Sequence, residues 1–233
     1  MGTLDSRRSA VEMKKAVEKP DVDLLEYEKR LWSERGLTFI AGIDEVGRGC
    51  LFGDVVAAAV ILPKGLVLEG VDDSKKLSAK KRDELYEMIC EQAVSYGISK
   101  VSNEVVDRIN IKQAARLAMK QALEQLNPSP HYLLVDAEKV DSPLPQLALI
   151  HGDACSQSIA AASILAKVTR DRMCLEWDKQ YPEYGIGIHK GYATKQHRDM
   201  LKAFGPTPLH RTTFLKNLFA EMEAEQQEFQ LDL

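Results

Sequence analysis

The sequence has no surplus of positive charge. Its 233 residues carry 31 Lys and Arg against 35 Asp and Glu, a formal net charge of -4 and a pI near 5.8. Binding a polyanion through bulk charge is thereby excluded. Long apolar runs are also missing: the longest, Val55 to Leu62, falls far short of the roughly 20 residues that cross a bilayer. The N-terminus, MGTLDSRRSAVEMKK, has basic residues but no apolar core followed by a small-residue cleavage site, so it does not read as a secretory signal. A cytoplasmic protein without membrane partners is expected. Cysteine is scarce and scattered. Cys50, Cys90, Cys155 and Cys174 form no C-x-x-C pair, which argues against zinc or redox chemistry and for reduced, mostly buried thiols. With 45% hydrophobic and 28% charged residues, disordered and fibrous classes are excluded, and one large domain or one domain with an appendage is allowed.

What charge there is lies unevenly. Residues 163–216 hold 10 bases and 5 acids, whereas residues 217–233 hold 5 acids and no base. Local patches, not totals, steer polyanions. A solvated helix face would give the same counts.

Residues 1–35 are polar and evenly charged, and Asp21 to Trp32 places Leu24, Leu25, Glu28, Leu31 and Trp32 at helical spacing, so a helical N-terminal extension is expected there. From Leu37 the pattern changes. LTFIAGID and VVAAAVIL read as two strands separated by the turn formers of GRG, and SYGISKVS as a third. Between them Ser78 to Ala93 is an amphipathic helix with Ser78 as N-cap. Asn103 is expected to cap a helix running to about Leu126, stopped by Asn-Pro-Ser-Pro at 127–130. HYLLVDA and QLALIHGD follow as short strands, then a long helix from Ser156 through Gln180 and shorter helices over Thr194 to Phe204 and from Arg211 onward. Three meander strands followed by strands and a long helix predict an α/β class, a mixed five-stranded sheet flanked by helices with a C-terminal helical part. The expected organisation is an extension over 1–35, a catalytic domain over 36–218 and an acidic tail over 219–233.

Aspartate is depleted in strands and costly to bury, yet Asp44, Asp136 and Asp153 each end an apolar strand. Neighbouring strand ends in one sheet converge, and a cluster of carboxylates repels itself unless a cation occupies it. Glu45 makes a fourth. Successive strand residues face opposite ways, so Asp44 and Glu45 share a site only where the strand breaks, which is where Gly47 and Gly49 put it. Scattered His and Cys point to a hard, oxygen-ligated cation, Mg²⁺ or Mn²⁺. Four carboxylates suit two such ions about 3.5–4 Å apart, clamping the attacking and leaving oxygens of a phosphodiester. A lone strand-end Asp is commonly a cap or turn residue, and Asp153, just before a helix, fits that description too.

Six motifs together, I-D-E-V-G-R-G (43–49), D-D-S-K-K-L (72–77), L-V-D (134–136), G-D (152–153), S-I-A-A-A-S-I-L-A-K-V-T-R-D (158–171) and H-K-G-Y-A-T-K-Q-H (189–197), closely resemble bacterial ribonuclease HII, the type 2 ribonuclease H family. The resemblance covers about residues 36–215. It implies a ribonuclease H-like fold with metal ligands at Asp44, Glu45, Asp136 and Asp153. It implies as substrate RNA in an RNA/DNA hybrid, including a single ribonucleotide in duplex DNA, cut on its 5′ side to leave 3′-hydroxyl and 5′-phosphate ends. Gly47-Arg48-Gly49 resembles the family's ribonucleotide-sensing loop, where backbone groups approach the 2′-hydroxyl, and Tyr192 its aromatic that stacks on the sugar. Ser74 and Lys75 look like phosphate binders, and Lys167 and Arg170, at i and i+3 on the long helix, are expected to extend that track. Asp171 reads as an ion-pair partner of Arg170 and Arg172, and His189 as a neighbour of Tyr192 that touches phosphate. Ala137 stands where glycine is expected in many relatives, which bears on the local turn and not on Asp136. Outside the motifs, Gln230-Leu231-Asp232-Leu233 resembles the peptide with which bacterial replication proteins grip the sliding clamp. Two rival readings are a ribonuclease H that needs runs of ribonucleotides and a non-catalytic hybrid-binding module; the four intact acids argue against the second.

Overall fold

Alternation along two central strands decides which helix meets which face of the sheet. The protein, seen in a computed structural model that describes residues 23–71, 77–216 and 218–220, begins with α1 (Glu26–Glu34) and the strands β1 (Ile40–Val46) and β2 (Val55–Ile61). Next come α2 (Ala79–Gln92), β3 (Ser95–Val101), α3 (Asn103–Ile109), α4 (Ile111–Leu123), β4 (Tyr132–Asp136) and β5 (Gln146–Leu149). The chain then continues through α5 (Gln157–Gln180), α6 (Ile186–His189) and α7 (Lys195–Phe204), with residues 212–216 and 218–220 also helical. The sheet order is β3-β2-β1-β4-β5. β1 runs antiparallel to β2 and parallel to β4; β2–β3 is antiparallel and β4–β5 parallel. This is the mixed five-stranded α/β sheet that the sequence predicts.

Ala41, Ile43, Leu133 and Val135 face one side and pack on Ala114, Ala118, Met119 and Ala122 of α4. Val56, Ala58 and Val60 face the other, against α2 and the Ala160–Ala166 stretch of α5. Small residues bring both layers close. A Cβ on Gly42 of β1 would lie 2.0 Å from the Ser158 backbone of α5, and one on Gly97 of β3 would lie 2.2 Å from Ala122 O of α4. A third apolar cluster, around Phe52, Cys174, Tyr184, Ile186 and Leu201, joins the loop after β1 to the C-terminal helices. α1 docks where α5 begins: buried Glu28 accepts from Ser156 Oγ (2.7 Å) and Ser158 N (3.0 Å).

Two elements differ from the sequence reading. The helix expected over 103–126 is two helices, because Asn110 takes φ 66° and its side chain accepts from Gln113 N to start α4. Ser102, not Asn103, caps α3, and Asn103 instead donates to Pro208 O. β5 ends at Leu149; His151, at φ 55°, turns the chain into a single 3₁₀ turn at Gly152–Ala154. Asp153 therefore sits on that turn and not at a strand end. All four cysteines are free, Cys50 and Cys174 buried, Cys90 and Cys155 half-buried. Among the described residues no helix is long and apolar enough to cross a membrane.

Candidate active site

Register brings the first two carboxylates together. Ile43 pairs with Val135 across the parallel β1–β4 ladder, so the next positions along the two strands are Asp44 and Asp136. Both lie on the α5 side of the sheet by alternation. Glu45 would face away in a continuing strand, but the chain leaves the strand after Val46 and turns at Gly47, φ 95°. All three acids line a cleft of about 440 Å³ with Val46, Arg82, Ser163, Lys167 and Tyr192.

The electrostatics of this cleft are strained. Burial pushes the Asp44 carboxyl well above the usual carboxylate range, and the nearby charges of Glu45 and Asp136 push it further; a hydrogen bond with Ser163 and one from Glu45 N (2.7 Å) oppose the shift. Burial also raises Glu45, against its ion pair with Arg48 at 3.2 Å. Glu45 Oε2 is buried without a hydrogen-bond partner. Oxygen-only donors, mutual repulsion and an orphaned carboxylate oxygen fit a hard divalent cation. Asp153 is buried outside the cleft lining, one residue from Gly152, whose N–H donates to Asp136 Oδ1 at 2.7 Å. Among the described residues, no three His, Cys, Asp or Glu side chains stand in coordinating positions around one point. Asp44, Glu45 and Asp136 are thus brought together, and Asp153 is adjacent.

The Gly47–Gly49 loop borders the cleft. A Cβ on Gly47 would lie 2.4 Å from Arg170 Nε, so only glycine fits there, whereas a Cβ on Gly49 would meet Tyr192 Cε1 at an ordinary 3.8 Å. The loop is stitched to the Tyr192 segment by a bridge between Cys50 and Tyr192 and by Leu51 N donating to Gly191 O (2.8 Å). Tyr192 is 44% exposed, its ring available at the cleft.

The two residues of the phosphate track expected on α5 have different surroundings. Lys167 lines the cleft and pairs with Asp171. Arg170 is buried, and its guanidinium donates to Asp54 O (3.0 Å), Phe52 O (2.9 Å) and Lys190 O (2.8 Å), so no phosphate reaches it. The α5 residues that line the cleft, Ser163 and Lys167, are spaced by four and not by three. Asp171 is an ion-pair partner, but of Lys167 and Arg82, not of Arg170 or Arg172. His189 is structural: buried, stacked on His197 at 4.4 Å, with Nε2 2.8 Å from Tyr184 O. Ser74 and Lys75 lie outside the described residues, as does Gln230–Leu233. Sequence reasoning missed Ser163 and Arg82. The four-residue spacing of polar side chains on an otherwise apolar helix would have found Ser163; nothing in the K-K-R-D run distinguishes Arg82.

Comparison with known proteins points to one family. A family model for Ribonuclease HII matches residues 41–221, more than half of the chain. The Ribonuclease HII of Alkaliphilus metalliredigens (strain QYMF) is 58% identical over 200 residues, covering 83% of this chain and 98% of that relative. Among solved structures, the ribonuclease H2 from Pyrococcus horikoshii OT3 superposes with a TM-score of 0.65 at 25% identity, covering 75% of this chain and 93% of that one. The structure of the PCNA:RNase HII complex from Archaeoglobus fulgidus matches with a TM-score of 0.62 at 28% identity, covering 76% and 94%.

Proposed function

The chain belongs to the ribonuclease HII family, has a ribonuclease H-like fold and is a nuclease, and we propose that it is a divalent-metal-dependent endonuclease acting on RNA/DNA hybrids and on single ribonucleotides in duplex DNA. It cuts on the 5′ side of the ribonucleotide and leaves 3′-hydroxyl and 5′-phosphate ends. The observation that carries this reading is the meeting of Asp44 and Asp136 at adjacent parallel strand ends, with Glu45, in a cleft that also presents Lys167 and Tyr192.

Asp44, Glu45, Asp136 and, from its adjacent turn, Asp153 are the residues that would hold Mg²⁺ or Mn²⁺. Such an ion, when bound, supplies Lewis-acid polarisation of the phosphate and a water of lowered pKa. Ser163 fixes the Asp44 carboxyl by hydrogen bonding, so that oxygen stays aimed into the cleft. Lys167 and Arg82 bring positive charge to the rim, where a phosphate backbone carrying no sequence information is held. Ser74 and Lys75 extend that contact. Tyr192 offers a flat ring to a sugar or base, and the space at Gly49 lets the loop main chain approach a 2′-hydroxyl, the group that tells RNA from DNA. The acidic tail keeps its own role: Gln230–Leu233 is a clamp-binding peptide, a reading supported by the PCNA complex of the archaeal relative. Deleting residues 229–233 should abolish clamp binding, and an intact chain that binds no clamp would end that reading.

One gel tests the activity. A duplex with one embedded ribonucleotide and a continuous RNA/DNA hybrid are each incubated with Mg²⁺ and with Mn²⁺, and cleavage 5′ of the lone ribonucleotide is expected. Cutting of the hybrid alone would turn the reading to an enzyme that needs runs of ribonucleotides. Binding without cutting of either would turn it to a hybrid-binding module.

A further inference from the structure

We infer that Arg211 is a positioning residue for ribonucleotide recognition: its buried guanidinium sets the main chain of the Gly47–Gly49 loop, and the segment that carries it couples that loop to Tyr192. The inference rests on the proposed role of that loop and of Tyr192.

Residues 47–54 join β1 to β2 with no regular structure beyond two isolated bridges. Arg211, 0% exposed, spans them: Nη1 donates to Arg48 O (3.1 Å) and Cys50 O (2.8 Å), and Nε to Gly53 O (2.9 Å). Its backbone N–H donates to Leu51 O (2.8 Å). Arg170, 1% exposed, takes the alternating carbonyls of Phe52 and Asp54 from the other side. Neither guanidinium makes an ion pair among the described residues. Asp54 acts on both guanidinium groups and Asp107 on Arg211 only from beyond ion-pair distance, and Arg211 Nη2 has no hydrogen-bond partner; a buried cation so placed is costly, so a purely structural post would be filled more cheaply by an apolar side chain. What a guanidinium offers instead is a rigid planar fork that fixes several carbonyls at once, which the point charge of lysine does not.

The same segment reaches Tyr192. His210 bridges Phe52, and its Nδ1 accepts from Thr207 N (2.9 Å), which leaves the hydrogen on Nε2. That Nε2 lies 3.0 Å from His197 Nε2, and His197 Nδ1 lies 2.9 Å from Tyr192 O. Donors and acceptors alternate without conflict only when both imidazoles are neutral. One short segment, 207–211, therefore fixes the main chain of the glycine loop directly and the main chain of Tyr192 through two histidines. Arg211 lines no part of the cleft, so its effect passes through the loop.

The test is Arg211→Lys, read as the ratio of kcat/KM on a duplex with one ribonucleotide to kcat/KM on a continuous RNA/DNA hybrid. Partial unfolding lowers both terms alike and leaves the ratio unchanged. A continuous hybrid offers a 2′-hydroxyl at every step, whereas a lone ribonucleotide must be found by the loop. The ratio should fall at least about tenfold, the worth of one misplaced hydrogen bond, and any smaller fall overturns the inference. A wild-type chain that does not cut the single-ribonucleotide duplex would instead refute the proposed function. Should Arg211→Lys fail to fold, amide exchange on the wild-type chain decides. The N–H groups of Leu51 and Gly53 should be protected to within about tenfold of those in β2, and weaker protection overturns the inference.

Discussion

In the cleft, Asp44, Glu45 and Asp136 bring like charges together under cover, and an oxygen of Glu45 is left without a donor. Behind the Gly47–Asp54 loop, Arg170 and Arg211 are buried just as deeply, yet main-chain carbonyls of that loop surround them. Both regions bury charge and each leaves one polar atom without a partner, Glu45 Oε2 and Arg211 Nη2, but the first sets like charges against each other while the second sets its cations against main-chain carbonyls. Carbonyl dipoles hold a cation in one place without neutralising it, which suits a scaffold. Repelling carboxylates are costly until a ligand arrives, which suits a binding site. The same loop separates the two, so the tension of the first region is borne by a backbone that the second region fixes.

The sharpest way to break the comparison is at Asp136. Asp136→Asn should lower cleavage by roughly a thousandfold or more while leaving the fold intact, because an amide keeps the shape and loses the charge that holds a cation. Far-UV circular dichroism checks the fold and the single-ribonucleotide gel checks the rate. Activity within about tenfold of wild type would make the carboxylate cluster structural.

Opposite responses to pH separate the two regions next. Burial pushes His197 down to about 4 and His210 down to about 3, from 6.5, with His189 adding to both shifts. Both are neutral in the fold, while the unfolded chain takes up protons below 6.5. Their contribution is therefore lost as pH falls from 6.5 toward 4, by roughly 2 kcal/mol for each histidine at pH 5. Asp44 and Glu45 act with the other sign, since a carboxyl whose pKa is raised on folding gains stability as pH falls. In metal-free Asp44→Asn/Glu45→Gln, denaturant unfolding should show a steeper loss between pH 7 and pH 5 than in wild type. Equal slopes would mean that the two carboxyls are not raised on folding, and a variant whose stability does not fall between pH 7 and pH 5 would mean that the histidines are not held neutral.

A smaller effect belongs to Asp44 alone. Its ionised form opposes folding at neutral pH, so Asp44→Asn should raise the metal-free melting temperature. Added Mg²⁺ should then raise the melting temperature of wild type and leave the variant nearly unmoved. A variant that melts lower than metal-free wild type would show that Asp44 is held by stabilising contacts instead.

How much of this was legible in the sequence follows the range of the interactions. An acid closing an apolar strand conflicts with its neighbours, so Asp44 and Asp136 stood out locally, and alternation with the glycine break added Glu45. The sequence places Asp153 at a strand end because nothing in L-A-L-I-H-G-D signals that His151 takes a left-handed turn. Arg170 reads as a phosphate contact in the sequence because periodicity groups residues onto faces without saying which face points inward. Arg211 and His210 were silent, since the carbonyls that Arg211 holds are more than 150 residues earlier in the chain. Asn110 hid a break between two helices because its conformation, not its composition, interrupts them.

The smallest effect sharpens the comparison at its seam. Ala137 follows Asp136 at φ 48°, in the left-handed region, and its N–H donates to Leu149 O at 2.8 Å. An alanine there costs roughly 1–2 kcal/mol in backbone strain, which glycine relieves while giving back part of the gain as unfolded-state entropy. Ala137→Gly should therefore stabilise the chain by about 0.5 kcal/mol, a rise of about 1–2 °C in melting temperature. The Leu149 hydrogen bond keeps the turn, so Asp136 stays in place and cleavage should remain within about twofold. A lower melting temperature would mean that the alanine methyl makes contacts worth more than the strain it imposes.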